Sequence, residues 1–304
     1  MQIRCSTRRD VHALIGAAAA FPSPLCAQNS PRTYRVGLLS AGQVIGDASP
    51  LGKALVSELA DAGFLLRKNL AFERRAAEGH VDRLPQLVAE LVGSHVDAVV
   101  TSGFPATLAA KQNGSIPVVA INAGDPVRTG LVESLAHPGG IVTGISDVSA
   151  EVTPKRLELL KEFAPNLRKV AVLWNADDLG MTLRYRASEA VGSQLGVTLQ
   201  PLGVREPDDF ALAFSRMDAD PPEGILMVTD SLTILNRKRV FDYAAAHKLP
   251  AIYEFDFLVR DGGLMSYGPD PLESNNKLGT LLVRILKGAK PADLPSSGTQ
   301  NSIW

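Results

Sequence analysis

From Tyr34 onward, short apolar runs alternate with helix-periodic stretches. "YRVGLLS", "VDAVVTSG" and "IPVVAIN" are continuously apolar, as strands covered on both faces are, and "LAFERRA" reads as a further strand. Between them, "SPLGKALVSELADAG" sets Leu51, Leu55 and Leu59 in one stripe, with Ser49 as N-cap, Pro50 in the first turn and Gly63 as the stop. "VDRLPQLVAELVG" does the same with Leu84, Leu87, Val88 and Leu91, and "PATLAAKQNG" reads as a short helix. After a linking helix, "TPKRLELLKEFAP", the pattern resumes. The strands "RKVAVLWN", "VTLQPLGV", "EGILMVTD" and "LPAIYEF" are separated by the helices "LRYRASEAVGSQLG", "PDDFALAFSRM" and "NRKRVFDYAAAHK".

Strand–helix–strand order throughout predicts α/β architecture with parallel sheets covered on both faces. The two runs, 34–146 and 168–253, predict two doubly wound lobes. "GGLMSYG" and "PLESNNKLGTLLVRILKG" then read as a strand and a helix that return the chain to the first lobe. The expected organisation is a first lobe of 34–147 plus 254–295, a second lobe of 148–253, and an irregular polar tail at 296–304. Two lobes joined by more than one crossing form a hinge with a cleft between them.

Residues 1–27 stand apart. Arg4, Arg8 and Arg9 precede an apolar centre at Ala13–Phe21, and "LCAQ" follows Pro22 and Pro24, the layout of a cleaved secretory signal. The Arg8–Arg9 pair leaves both the Sec and the twin-arginine routes open. Cys26 lacks the lipobox residues before it, since Ser23 and Leu25 occupy those places. Cleavage after Ala27 removes three Arg and one Asp, taking the formal net charge from −1 to −3, and removes Cys5 and Cys26, the chain's 2 cysteines. The mature chain then has no disulfide, thiolate metal site or cysteine nucleophile. This charge carries no nucleic-acid signature.

In open parallel sheets, ligands bind beyond the carboxyl ends of the strands. Those ends carry short polar groups, often beside glycine: Ser40 and Gly42, Thr101, Ser102 and Gly103, Asn122, Gly124 and Asp125, Asn175, and Asp230. Glycine lets backbone approach a ligand, and helix N-termini offer N–H donors to an anion. Thr101–Gly103 would suit a carboxylate, and Asp125 or Asp230 an amine. Tyr253 and Tyr267, at later strand ends, are stacking candidates. Each of these residues read singly is equally an ordinary turn residue; it is their register that points to a cleft.

Catalytic signatures are missing. The histidines His12, His80, His95, His137 and His247 are scattered, and no G-x-S-x-G elbow, G-x-G-x-x-G or Walker loop is present. "HPGG" at His137–Gly140 reads as a turn, and Trp174 as a core residue beside Val170 and Val172. No metal or cofactor is expected. A racemase- or hydrolase-like enzyme of the same two-lobed class is the alternative, and a sugar-type transcription regulator would need a DNA-binding headpiece where the signal stands.

The stretches "RVGLLSAG", "HVDRLPQLVAELV", "GDPVRTGLVESLAHPGGIVTGIS", "KRLELLKEFAP", "LPAIYEFDFLVRDGGLMSYG" and "LVRILKGAKPADLP" cover nearly all of Tyr34–Pro295 in order. In them the chain resembles the ABC transporter substrate-binding proteins of the tryptophan/tyrosine type. The resemblance implies a type I periplasmic-binding-protein fold, non-catalytic capture of a small solute, an ABC permease as partner and a periplasmic location. It leaves the solute open between an amino acid and a small aromatic acid. Members of that family usually continue past "KPADLP" through another strand and helix, whereas "SSGTQNSIW" lacks strand periodicity. A sheet edge left uncovered by a shortened C-terminus would be a liability for stability or function.

Overall fold

The computed structural model describes residues 32–113, 115–146 and 152–298. The expected signal segment and residues 299–304 lie outside them. The first lobe begins with β1 (Tyr34–Ser40), α1 (Pro50–Asp61), β2 (Leu70–Ala76), α2 (Leu84–Gly93), β3 (Ala98–Ser102), α3 (Phe104–Asn113), β4 (Val118–Ile121) and β5 (Val142–Ser146). The second lobe holds α4 (Val152–Phe163), β6 (Lys169–Asn175), α5 (Leu179–Gln194), β7 (Thr198–Val204), α6 (Asp209–Ala219) and β8 (Gly224–Met227). It continues through α7 (Ser231–Leu235), α8 (Arg237–Ala246), β9 (Ala251–Tyr253), α9 (Asp256–Arg260) and β10 (Met265–Ser266). The chain then returns to the first lobe as α10 (Pro271–Leu286) and β11 (Ser297–Gly298).

Both sheets are parallel throughout, in the orders β2-β1-β3-β4-β5-β11 and β7-β6-β8-β9-β10. Each is doubly wound, with an apolar layer on either face. Leu55 and Leu59 of α1 and Leu278 and Leu282 of α10 cover one face of the first sheet, and Leu87, Val88 and Leu91 of α2 the other. In the second lobe, Phe210, Met217 and Phe241 pack on one face and Leu157, Leu160 and Met181 on the other. Each such fully buried side chain contributes roughly 1.5–3 kcal/mol of transfer free energy. The start of α1 is set locally: Ser49 is extended, its Oγ accepts from Gly52 N at 3.0 Å, and Pro50 needs no donor there.

Two expectations change. β10 pairs with β9, so the crossing back to the first lobe follows Ser266 rather than starting at residue 254. The one-turn helix α9, too short to show a period, reverses the chain and lays β10 beside β9. The tail is not wholly irregular, because Ser297 and Gly298 pair with Ile145 and Ser146 of β5. Two residues cannot display a strand pattern. Thr143 Oγ1 donates to the Leu294 carbonyl at 2.8 Å and Ser296 N to the Leu135 carbonyl at 2.8 Å, which hold this segment along the sheet edge.

The second lobe buries an ionic cluster. Arg156 Nη2 and Arg184 Nη1 both lie 3.1 Å from Glu254 Oε2, and all three side chains are buried. Arg156 Nε also donates to the Tyr267 carbonyl at 2.8 Å. Two guanidinium groups share one carboxylate beneath the carboxyl end of β9.

Candidate functional site

The carboxyl ends of the two sheets face each other and touch along a line of glycines. A Cβ placed on Gly42, after β1, would lie 2.6 Å from the Ser231 carbonyl oxygen, and its three nearest atoms all belong to Ser231. On Gly79, after β2, it would meet Pro207 at 2.9 Å and Leu232 at 3.0 Å. On Gly103, after β3, it would approach Ser231 Oγ at 3.4 Å, and on Gly124, after β4, the Gly180 Cα at 3.0 Å. His80 and Glu206 approach to 3.9 Å at the rim of the same seam. At Gly42 and Gly124 the backbone of the opposite lobe makes the close approach, and at Gly103 the Ser231 hydroxyl does.

A pocket of about 460 Å³ opens beside this seam, within the usual range for small-molecule sites. The first lobe supplies the strand ends Ser40, Ser102, Asn122 and Ser146. It also supplies Val44, Ile45 and Leu51 from the approach to α1. Asn122 has φ +56, a left-handed conformation that asparagine tolerates better than most residues, and this turns the chain sharply at the end of β4. The second lobe supplies Ser231 and Ile234 of α7, Arg237 of α8, Phe255, Phe257 and Asp261. The Phe255 and Phe257 rings stack on each other with centroids 5.6 Å apart. Pro269 and Pro271 of the crossing and Asn275 of α10 close the wall. Each lobe contributes both kinds of surface: aliphatic Val44, Ile45 and Leu51 beside the hydroxyl and amide groups of the first, and aromatic Phe255 and Phe257 beside Ser231, Arg237 and Asp261 of the second.

Of the expected site residues, Ser40, Ser102 and Asn122 line this pocket and the others are engaged elsewhere. Thr101 is buried, with its Oγ1 2.8 Å from that of Thr107. Asp125 caps its own turn, accepting from Val127 N and Arg128 N at 3.0 Å each. Asn175 donates to Asp230 at 2.7 Å, and Asp230 caps α7 by accepting from Thr233 N at 2.9 Å. The Tyr253 ring is buried edge-on against Phe241, and burial raises its pKa. Tyr267 packs against the core of the second lobe. Arg237, Asp261 and Phe257 were not foreseen, because they sit one helical turn or more beyond the strand ends, and Phe255, two residues past β9, was passed over for the tyrosine before it. The alternation of Tyr253, Phe255 and Phe257 along "YEFDF" was the available signal.

A second group of polar side chains lies directly under the seam. Asp178 caps α5, one of its oxygens accepting from Met181 N at 3.1 Å, and its neighbour Gly180 is the residue that meets Gly124. It is fully buried, and its Oδ2 has no hydrogen-bond partner among the described residues. Burial foremost, and then the nearby Asp230, push its carboxyl up to about 7. Burial raises Asp230 as well, against the hydrogen bonds from Thr233 and Asn175. Among the described residues no group of histidine, cysteine and carboxylate could hold a metal ion, and no helix is long and apolar enough to cross a membrane.

Two doubly wound parallel-sheet lobes with a pocket between facing strand ends form the architecture of the type I periplasmic-binding-protein class. The chain belongs to the ABC transporter substrate binding protein family, whose sequence pattern matches residues 51–303. It is 25% identical over 244 residues to a tyrosine-binding protein of Clostridioides difficile (strain R20291), covering 80% of this chain and 70% of that protein. Its fold matches that of an ABC domain from Streptococcus pneumonia in complex with L-Trp, with TM-score 0.78 at 24% identity over 89% of this chain and 90% of the other. It also matches the ligand-free, open structure of a Clostridium difficile substrate-binding protein with adhesive properties, with TM-score 0.57 at 23% identity over the same shares of the two chains.

Proposed function

We propose that this chain is the exported solute-binding component of an ABC importer, and that the pocket beside the glycine seam takes an aromatic amino acid and hands it to the permease without turning it over. The observation that carries this reading is the pocket's mixed lining: the stacked Phe255–Phe257 pair together with polar groups from both lobes, Ser40, Ser102 and Asn122 from the first and Ser231, Arg237 and Asp261 from the second. An aromatic ring has an apolar body to stack, and an amino-acid head has polar groups to satisfy. The tyrosine-binding relative and the L-Trp complex of a structural neighbour support the same class. Proteins of this family are binders, which supports capture over catalysis. The basic, apolar and small-residue order of residues 1–27 supports export to the periplasm, with a mature N-terminus at or near Gln28.

A thermal-shift screen of the purified protein over the twenty amino acids, aromatic acids and monosaccharides tests the reading. Phenylalanine, tyrosine or tryptophan should raise the melting temperature, with about 2.7 kcal/mol of stabilisation at a hundred times the dissociation constant, and mass spectrometry should recover the compound unchanged. Stabilisation by sugars alone, or consumption of the compound, would overturn it. Edman sequencing of protein from the periplasmic fraction tests export, and full-length chain confined to the cytoplasm would refute it.

A further inference from the structure

The pocket's lining includes one ion pair, and both of its members come from the second lobe. Arg237 stands at the first residue of α8, and its Nε donates to Asp261 Oδ2 at 2.8 Å. Its Nη1 donates to the Ile234 carbonyl at 2.9 Å, so two of the three guanidinium nitrogens are pinned within the second lobe. The third, Nη2, has no hydrogen-bond partner among the described residues, and the Asp261 engagement is confined to Oδ2. Both residues line the pocket, with side-chain exposures of 21% and 37%. A guanidinium held on one edge keeps its remaining N–H groups in a fixed plane, and such a fork suits a carboxylate. The remaining oxygen of Asp261 is an acceptor beside it. A donor fork and an acceptor side by side match the two charges of an α-amino-acid head.

We infer that Arg237 and Asp261 together read the zwitterionic head of the solute, with Arg237 Nη2 donating to its carboxylate and Asp261 accepting from its ammonium. This rests on the amino-acid reading above and deepens it. It distinguishes an amino acid from a small aromatic acid, which has no ammonium and would leave Asp261 unsatisfied. Because the pair is fixed before the ligand arrives, little side-chain entropy remains to be lost on binding. Asp125, Asp178 and Asp230 are not needed as ammonium partners, since each is engaged as a turn or helix cap.

The test uses three compounds that differ at the head alone: phenylalanine, phenylalaninamide and 3-phenylpropanoate. Titration calorimetry is run on the wild type, Arg237→Gln, Arg237→Lys and Asp261→Asn. The wild type should bind phenylalanine about ten- to a hundredfold more tightly than either analogue, the effect of losing one charge-assisted hydrogen bond. Arg237→Gln should weaken phenylalanine by a similar factor and leave the amide unchanged, and Arg237→Lys should restore part of the loss. Asp261→Asn should weaken phenylalanine and leave 3-phenylpropanoate unweakened. Equal wild-type affinity for all three compounds, a comparison that needs no variant to fold, would overturn the inference. So would an Arg237→Gln penalty shared by phenylalanine and its amide, because that pattern marks a packing role. If no amino acid binds the wild type at all, the reading in the preceding subsection fails and takes this one with it. If phenylalanine binds and is indifferent to Arg237→Gln and to amidation, this inference alone fails.

Discussion

Replacing Gly42 with alanine should weaken solute binding without touching the solute. The backbone of Gly42 lies outside the left-handed region, so an added Cβ brings no local strain. Its three nearest neighbours all belong to Ser231 of the other lobe, with the carbonyl oxygen at 2.6 Å, and ordinary van der Waals separation begins near 3.4 Å. The lobes would have to part by about 0.8 Å at this point, or distort to absorb the methyl, and a gap of that width forfeits a sizeable part of each pairwise dispersion attraction across the seam. Overpacking by a methyl costs about 1–3 kcal/mol. If that cost falls on the closed arrangement alone, the closed fraction drops and the apparent dissociation constant rises about five- to a hundredfold. Titration calorimetry with the amino acid that stabilises the wild type best, paired with small-angle scattering of the loaded protein, would read both effects. Gly93→Ala is the control, because nothing lies within 4 Å of that position and its φ is not positive. An unchanged dissociation constant together with an unchanged loaded radius of gyration would show that the seam plays no part in capture.

Glu254→Gln should lower the melting temperature by on the order of 10 °C, since removing the shared partner leaves two buried guanidinium groups uncompensated at about 3–5 kcal/mol; a loss near zero by differential scanning calorimetry would contradict this. Asp178 has a folded-state pKa raised from 3.8 to about 7, so between those values the folded state binds more protons than the unfolded one. Its contribution to stability is therefore greatest at the acid end and is lost as pH rises through that window. Melting temperatures measured from pH 4.5 to 7.5 should fall less steeply with pH in Asp178→Asn than in the wild type, and parallel curves would refute the assignment. Thr101→Ala should cost about 1 kcal/mol of stability through its lost bond to Thr107 and leave affinity unchanged by calorimetry, the reverse of what a ligand-binding residue would show.

The fold was legible because its strands are buried on both faces. "VDAVVTSG" and "RKVAVLWN" read as apolar runs for the same reason that β3 and β6 sit in the middle of their sheets. The one-turn helices α7 and α9 and the two-residue β11 were not legible, since so short a helix shows no period and β11 lies in a polar tail, whereas "GGLMSYG" was read as a strand but assigned to the first lobe instead of to the edge beside β9. The candidate site was half legible. Reading the strand ends located the face, and Ser40, Ser102 and Asn122 do line the pocket. What one chain cannot display is which of its polar strand ends will be pressed against the other lobe. Gly42 and Ser231 are far apart in sequence and meet because the lobes meet. Thr101 and Asp230 look like exposed polar ends, yet each is consumed by a hydrogen bond to the helix that follows its strand. Arg237 and Asp261 lie 24 positions apart, and their pairing depends on the fold bringing the start of α8 to the residue just after α9.

The tie between Arg156 and Tyr267 also has a mechanical meaning. Tyr267 is clamped to the second lobe twice, its N–H donating to the Tyr253 carbonyl at 3.0 Å and its carbonyl accepting from Arg156. Gly268 is wedged so closely that a Cβ there would strike the Glu254 carbonyl at 2.4 Å. At the other end, Asp270 accepts from Leu272 N at 2.8 Å and is locked to α10 and hence to the first lobe. The strap between the two clamps has shrunk to Pro269, whose own ring fixes φ. Any rotation of one lobe against the other must, on this crossing, be taken up in the few torsions around that residue. Pro269 is also part of the pocket wall. On the proposed reading, a solute seated in this pocket would rest against the pivot of this crossing.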